Sequence, residues 1–229
     1  MKNLNQYIQE KFEINKNTKR TYKYSPKTTE ELREIIEQRL KKDKNANLND
    51  IDVSKITYMN ELFKGLDPHN IDISQWDVSN VENMEYMFSN CMNFNSDLSE
   101  WNVSNVTDMN GMFNRCDIFN SDLSDWDVSN VKYMSYLFYD CEEFNADLSH
   151  WDLSSCVNTE AMFHGCQQFN SDLSKWKVSK VEYMGYMFYD CKSFNCDLSK
   201  WDVSKLAKFP AQMFVNCSSL KHIPAWYKN

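Results

Sequence analysis

Residues 76–101 read WDVSNVENMEYMFSNCMNFNSDLSEW, and the Trp that closes this stretch opens the next one. All seven tryptophans keep that step: Trp76, Trp101, Trp126, Trp151, Trp176, Trp201 and Trp226 each follow the last by 25 residues. A fixed period of roughly 20 to 50 residues marks stacked repeats. Aligned on Trp, the units follow W-D-V-S-N-V-x-x-M-x-x-M-F-x-x-C-x-x-F-N-x-D-L-S-x. A Phe column runs through Phe63, Phe88, Phe113, Phe138, Phe163, Phe188 and Phe214. A Cys column runs through Cys91, Cys116, Cys141, Cys166, Cys191 and Cys217, with Leu66 in its place in the first unit. That Leu shows that the position selects a modest apolar group rather than a thiol.

Within a unit, Val106, Met109, Met112, Phe113 and Cys116 recur at helical spacing. Ser104 stands where an N-cap belongs, and Ser79 with Glu82 and Ser179 with Glu182 match the capping box. Phe94, Ser96 and Leu98 then alternate, followed by Trp101 and Val103, as in one or two short strands bent near Ser99–Glu100. The expected fold is an α/β repeat solenoid, leucine-rich-repeat-like, of about seven 25-residue coils. Each coil would carry short strands and a short helix, with a parallel sheet on one face and a helical cap at the N-terminus. Like side chains would stack from coil to coil. An Asn column (Asn70 to Asn195) would satisfy backbone at a turn. The Asp column (Asp72 to Asp197) needs backbone N–H donors or a cation, since stacked like charges repel.

Residues 28–47 read as the N-terminal cap helix, with Thr28 and Glu31 as a capping box and Leu32, Ile35, Ile36 and Leu40 as its apolar stripe. The repeat solenoid spans 48–206. Residues 207–229, where Pro210 and Pro224 appear and the period slips, form the last irregular repeat and C-terminal cap. Residues 1–27 are a leader segment and linker, with Leu4, Tyr7, Ile8 and Phe12 at helical spacing.

The net charge of −8 is uneven: residues 1–50 hold 12 Lys/Arg and 8 Asp/Glu, residues 51–229 hold 13 and 25. An acidic body disfavours nucleic acid, whose binding rests on Lys and Arg displacing counterions. No apolar run is long enough for a membrane span or a secretory signal. With neither Cys pairs nor His at ligand spacing, no metal or cofactor is expected, and the thiols read as buried and reduced. The four histidines share no motif, and no phosphate loop or nucleophile elbow occurs, so no enzyme is expected.

The repeat WDVSNVxxMxxMF, then C, then FNxDLSxW, resembles that of BspA-type leucine-rich repeat surface proteins, also abundant in mycoplasma lipoproteins, over about residues 48–226. The resemblance implies a leucine-rich-repeat-like solenoid with a role in adhesion or protein binding. The opening MKNLNQYIQEKFEINKNTK resembles a short leader found in gut bacteriophage proteins. It implies a phage-encoded protein, cytoplasmic or virion-associated, with the cell surface as the alternative if a leader is missing.

Variable columns are free to read a partner. On the expected helices these include Tyr86, then Tyr133, Tyr136 and Tyr139, and Tyr183, Tyr186 and Tyr189 two units later. They either cover grooves between helices or form a partner surface. A second candidate surface is Glu100, Asp125, His150, Lys175 and Lys200, whose charge runs from acidic to basic along the stack. The expected function is a monomeric, non-enzymatic interaction module for a protein partner. The alternative is an exported adhesin binding host protein or glycan.

Overall fold

The structure is a computed structural model that describes residues 21–227. The leader stripe Leu4, Tyr7, Ile8 and Phe12 lies outside the described residues. Among those described there is one α-helix, α1 (Thr29–Leu40), a single 3-10 turn at Ala225–Tyr227, and no β-strand. Parallel pairing is confined to isolated bridges such as Asn83 with Asp108 and Asp108 with Tyr133. The expected α/β architecture, with a helix in every repeat and a parallel sheet along one face, is therefore wrong.

The apolar spacing that mimics a helix comes from successive tight turns. In the second unit Met87, Ser89 and Cys91 donate their N–H groups to the carbonyls of Met84, Tyr86 and Phe88, each three residues back. The alternate N–H groups leave the unit altogether. Those of Met84, Tyr86, Phe88 and Asn90 donate to Asp108, Asn110, Met112 and Asn114 of the next unit at 2.8–2.9 Å. An α-helix would spend both sets on its own carbonyls. Two residues per unit also hold a left-handed backbone, Tyr86 (φ 52) and Asn90 (φ 61) in this unit, and no α-helix passes through such residues.

The capping signature has a different origin too. Ser79 donates its N–H and Oγ–H to Asp77, and Ser104 its N–H to Asn102, as Asx turns do, while the Glu82 N–H goes to the Thr57 carbonyl. The same D-x-S turn resolves the Asp column. Asp97, Asp122, Asp147, Asp172 and Asp197 each accept the N–H of the Ser two residues on, at 2.9–3.0 Å. Those bonds, from the backbone of Ser124 and Ser149 above all, hold the Asp122 and Asp147 carboxyls below the usual range.

The expected strand around Phe94 has the right burial and the wrong partners. Phe94, Ser96 and Leu98 are buried while Asn95 and Asp97 are exposed. Yet side chains take the place of a neighbouring strand: Leu98 N–H donates to Ser121 Oγ, and Asn120 N–H to Asn95 Oδ1. The Asn side chains then form a ladder through Asn120, Asn145, Asn170 and Asn195.

Stacked columns fill the interior. Phe88, Phe113, Phe138, Phe163 and Phe188 follow one another at 5.6–5.7 Å. The second Phe column, Phe94 to Phe194, runs beside them at about 4 Å within each unit. Every Trp indole N–H reaches back 28 residues to a carbonyl of the preceding unit, from Trp76 to Leu48 through Trp226 to Leu198, at 2.9–3.1 Å. The Cys column does likewise: Cys116 and Cys141 Sγ–H donate to Phe88 and Phe113 carbonyls at 3.1 and 3.0 Å. All eight cysteines are free thiols, and burial pushes Cys91 and Cys156 up to about 12.

Helix α1 closes the N-terminal end. Thr28 caps it by accepting Glu31 N–H, and Leu32, Ile36 and Leu40 face the core. The first unit's outward carbonyls have no earlier unit to bond. Thr29 Oγ1 donates to Tyr58, and Arg33 to Glu61, Leu62 and Lys64. Arg33→Ala should therefore cost about 1–2 kcal/mol, concentrated at this end. Hydrogen exchange should show the first unit's amides losing protection while units past Trp126 keep theirs. Arg33→Lys should rescue little, since one ammonium cannot span three carbonyls.

Candidate functional site

The tyrosines lie on the turn segment that carries the inter-unit backbone bonds, in three columns. Tyr58, Tyr133 and Tyr183 share the bridged column with Asn83, Asp108 and Asn158, and are 53%, 43% and 37% exposed. Tyr86, Tyr136 and Tyr186 recur every second unit, with Gly111 and Ala161 between them. Tyr139 and Tyr189 flank His164 in the third column, stacked on its ring at 4.4 and 4.7 Å. Tyr136 and Tyr139, and likewise Tyr186 and Tyr189, meet at tilted ring contacts of 5.7 and 6.2 Å. The structure thus joins Tyr136, Tyr139, Tyr186 and Tyr189 through ring contacts and His164, and places Tyr86, Tyr133 and Tyr183 in the same three columns without a ring contact to them.

The middle column has an unusual backbone. Glu61, Tyr86, Gly111, Tyr136, Ala161 and Tyr186 all have φ between 52 and 59 or close to it (Glu61 57, Gly111 56, Ala161 53). A Cβ on Gly111 would sit 2.2 Å from Cε1 of Tyr86, whose ring lies across the glycine. The second left-handed column uses the residues that tolerate this conformation best, among them Gly65, Asn90, Asp140, Gly165 and Asp190.

Carboxylates border the rings. Burial raises Glu85, with Asp108 and Glu61 adding to the effect, and burial also raises Asp108. The Tyr136 phenol is raised by burial and by Glu160. Lys64 Nζ stands 5.1 Å from the centre of the Tyr86 ring, so this face already holds one cation on an aromatic.

Glu100, Asp125, His150, Lys175 and Lys200 are all exposed, each just before a Trp, in a turn rather than on a strand. His150 and Lys175 border a groove of about 510 Å³ with Asn145, Asp147, Asn170 and Asp172. A larger concavity, about 810 Å³, lies elsewhere, along Ser54, Thr57, Asn80, Asn105, Thr107 and Asn130. Its Asn80, Asn105 and Asn130 carboxamides are spent on the Ser54, Ser79 and Ser104 carbonyls. Among the described residues, no group of three or more His, Cys, Asp or Glu is placed to hold a metal, and no helix is long and apolar enough to cross a membrane.

A family profile described as "Mycoplasma protein of unknown function, DUF285" matches residues 30–141 and 119–226, and so most of the chain. The chain belongs to this family. No curated protein and no solved structure matches it. In this DUF285 member the family profile reaches back to residue 30, so it takes in α1 as well as the tandem units. Two residues of the aromatic face escape a reading of the sequence for tyrosine trios. Tyr58 is visible once the columns are extended to the first unit, and His164 once its column is seen to hold Tyr139 and Tyr189.

Proposed function

We propose that the protein is a non-enzymatic repeat module that binds a protein partner through its tyrosine face. The observation that carries this reading is the backbone under Tyr86, Tyr136 and Tyr186. Each keeps a bulky ring at positive φ, a conformation that costs most side chains about 1 kcal/mol and that Gly or Asn would adopt more easily. Tyr136 and Tyr186 remain 37% exposed all the same. Strain held at a surface position three times over supports selection for what the ring meets outside the fold. Tyrosine suits that task, offering a large amphipathic contact with little side-chain entropy to lose. The bordering Glu85, Asp108 and Glu160 favour a partner that presents Lys or Arg. The resemblance of the repeat to BspA-type surface proteins supports a binding role as well.

The test is a triple variant, Tyr86→Asn, Tyr136→Asn and Tyr186→Asn. It should melt no lower than the parent, because Asn relieves the left-handed backbone. Proteins that the parent enriches from source-cell extracts should be lost. A fall of several degrees with enrichment intact would make the rings a cover for the stack and sink this reading.

A further inference from the structure

The two ends of the stack are not alike. Four N–H groups of each interior unit point toward the C-terminal neighbour and bond its carbonyls, as Met134, Tyr136, Phe138 and Asp140 bond Asn158, Glu160, Met162 and His164. The carbonyls of that turn segment point the other way or close turns within the unit. The series ends when Tyr186, Phe188 and Asp190 donate to Ala211, Met213 and Val215. In the last unit the equivalent donors are Gln212, Phe214 and Asn216, which share the alternate spacing, and Gln212 and Asn216 the left-handed φ. Among the described residues none of these three N–H groups has an acceptor. Pro210 stands where a fourth donor would be. Along this turn segment the C-terminal end is therefore an edge of donors.

Its surroundings differ from the rest of the molecule. Phe209, Val215 and Ile223 are 43%, 38% and 55% exposed, while the aromatic columns of interior units are closed off. Tyr227 Oη takes the Met213 N–H at 3.1 Å, so the last turn covers only part of the end. After Asp202 the chain has no Asp or Glu, and Lys205, Lys208 and Lys221 are all exposed here.

We propose that this end binds an extended, acidic peptide segment of a partner by strand addition. Alternate carbonyls of an extended segment project to one side and can accept three donors at alternate residues. Apolar side chains of the segment would cover Val215 and Ile223, and its carboxylates would face the lysines. A second copy does not fit. Along this segment two such ends would set donors against donors, and at the N-terminal end the Tyr58, Leu62 and Lys64 carbonyls are already taken by Thr29 and Arg33. Residues 1–20 do not fit by charge, with five Lys/Arg against two Asp/Glu.

The test uses the full isotope-labelled chain and two short capped peptides, one alternating Glu and Val, the other Lys and Val. The Glu–Val peptide should slow exchange of the Gln212, Phe214 and Asn216 amides, and the Lys–Val peptide should not. Reversing Lys205, Lys208 and Lys221 to Glu should weaken binding roughly tenfold, and Val215→Glu should weaken it independently without touching the core. The triple Tyr→Asn variant should bind the Glu–Val peptide as the parent does, which keeps this site separate from the tyrosine face. The proposal is overturned if those amides are already protected in the free protein. It is equally overturned if millimolar Glu–Val peptide leaves them unchanged, or if charge reversal has no effect on binding.

Discussion

Raising the pH past 9 in reducing buffer should unfold this protein sharply, through its cysteines. Burial holds Cys91 and Cys156 at about 12 and places Cys116, Cys166 and Cys191 well above an ordinary thiol, with Cys141 raised as well. In the unfolded chain each thiol ionises near 8.5. A group whose folded pKa is raised contributes its full stability below the unfolded pKa and loses it as pH climbs toward the folded value. In that window each buried thiol removes about 1.4 kcal/mol per pH unit. Six together remove roughly 8 kcal/mol per unit, comparable to the whole stability of an ordinary domain. Circular dichroism between pH 7 and 11 should show cooperative loss of structure within about two units above the thiol range. Cys141→Ala with Cys166→Ala should move that transition to higher pH, although the same pair lowers stability at pH 7. A fold that persists unchanged at pH 11 would mean that the thiols reach solvent.

The second large effect is expected at Trp126. Its ring lies 6.5 Å from that of Trp151 and tilts against Phe113 at 6.3 Å, and its indole N–H holds the Leu98 carbonyl at 3.0 Å. Trp126→Ala removes a 4% exposed ring and orphans that carbonyl, a cost of about 4 kcal/mol. Trp126→Phe keeps most of the packing and loses the donor, at about half that cost. Units in a repeat stack are coupled through their neighbours. Exchange protection should therefore collapse on both sides of the substitution, and denaturant melts should lose their single sharp transition. Trp226→Ala, at the half-buried end of the column, should cost much less. Equal costs at the two positions would contradict a column that gains its stability from flanking units.

Burial was legible in the sequence and backbone geometry was not. Trp, Phe and Cys columns at one period could only be interior, but Leu66 in the Cys column misled, since the later thiols donate to carbonyls 28 residues back, a bond that Leu66 cannot make. The capping box of Thr28 and Glu31 led to α1 because a single helix with its own cap obeys local rules. Met84, Met87, Phe88 and Cys91 misled because a chain of three-residue turns spaces its inward side chains as a helix does. The distinction lay in where the N–H groups go, which a lone unit does not encode. One clue was present: three of the four glycines, Gly65, Gly111 and Gly165, fall in the two left-handed columns. The tyrosines were legible as variable positions, but the strained backbone that gives Tyr86, Tyr136 and Tyr186 their significance was not.

The one-way run of N–H groups along the stack also gives the molecule an electrical polarity. Peptide dipoles aligned head to tail add up, as they do in a helix. Here they run across unit after unit rather than along one strand of chain, and the fewer reversed bonds of each unit, such as Lys132 to Thr107 and Glu143 to Asp117, offset only part of them. The positive pole falls at the end that already carries the lysines. Each unit gained by duplication would lengthen this dipole without altering either pole, so stacks of different length would keep the same two faces and differ only in reach.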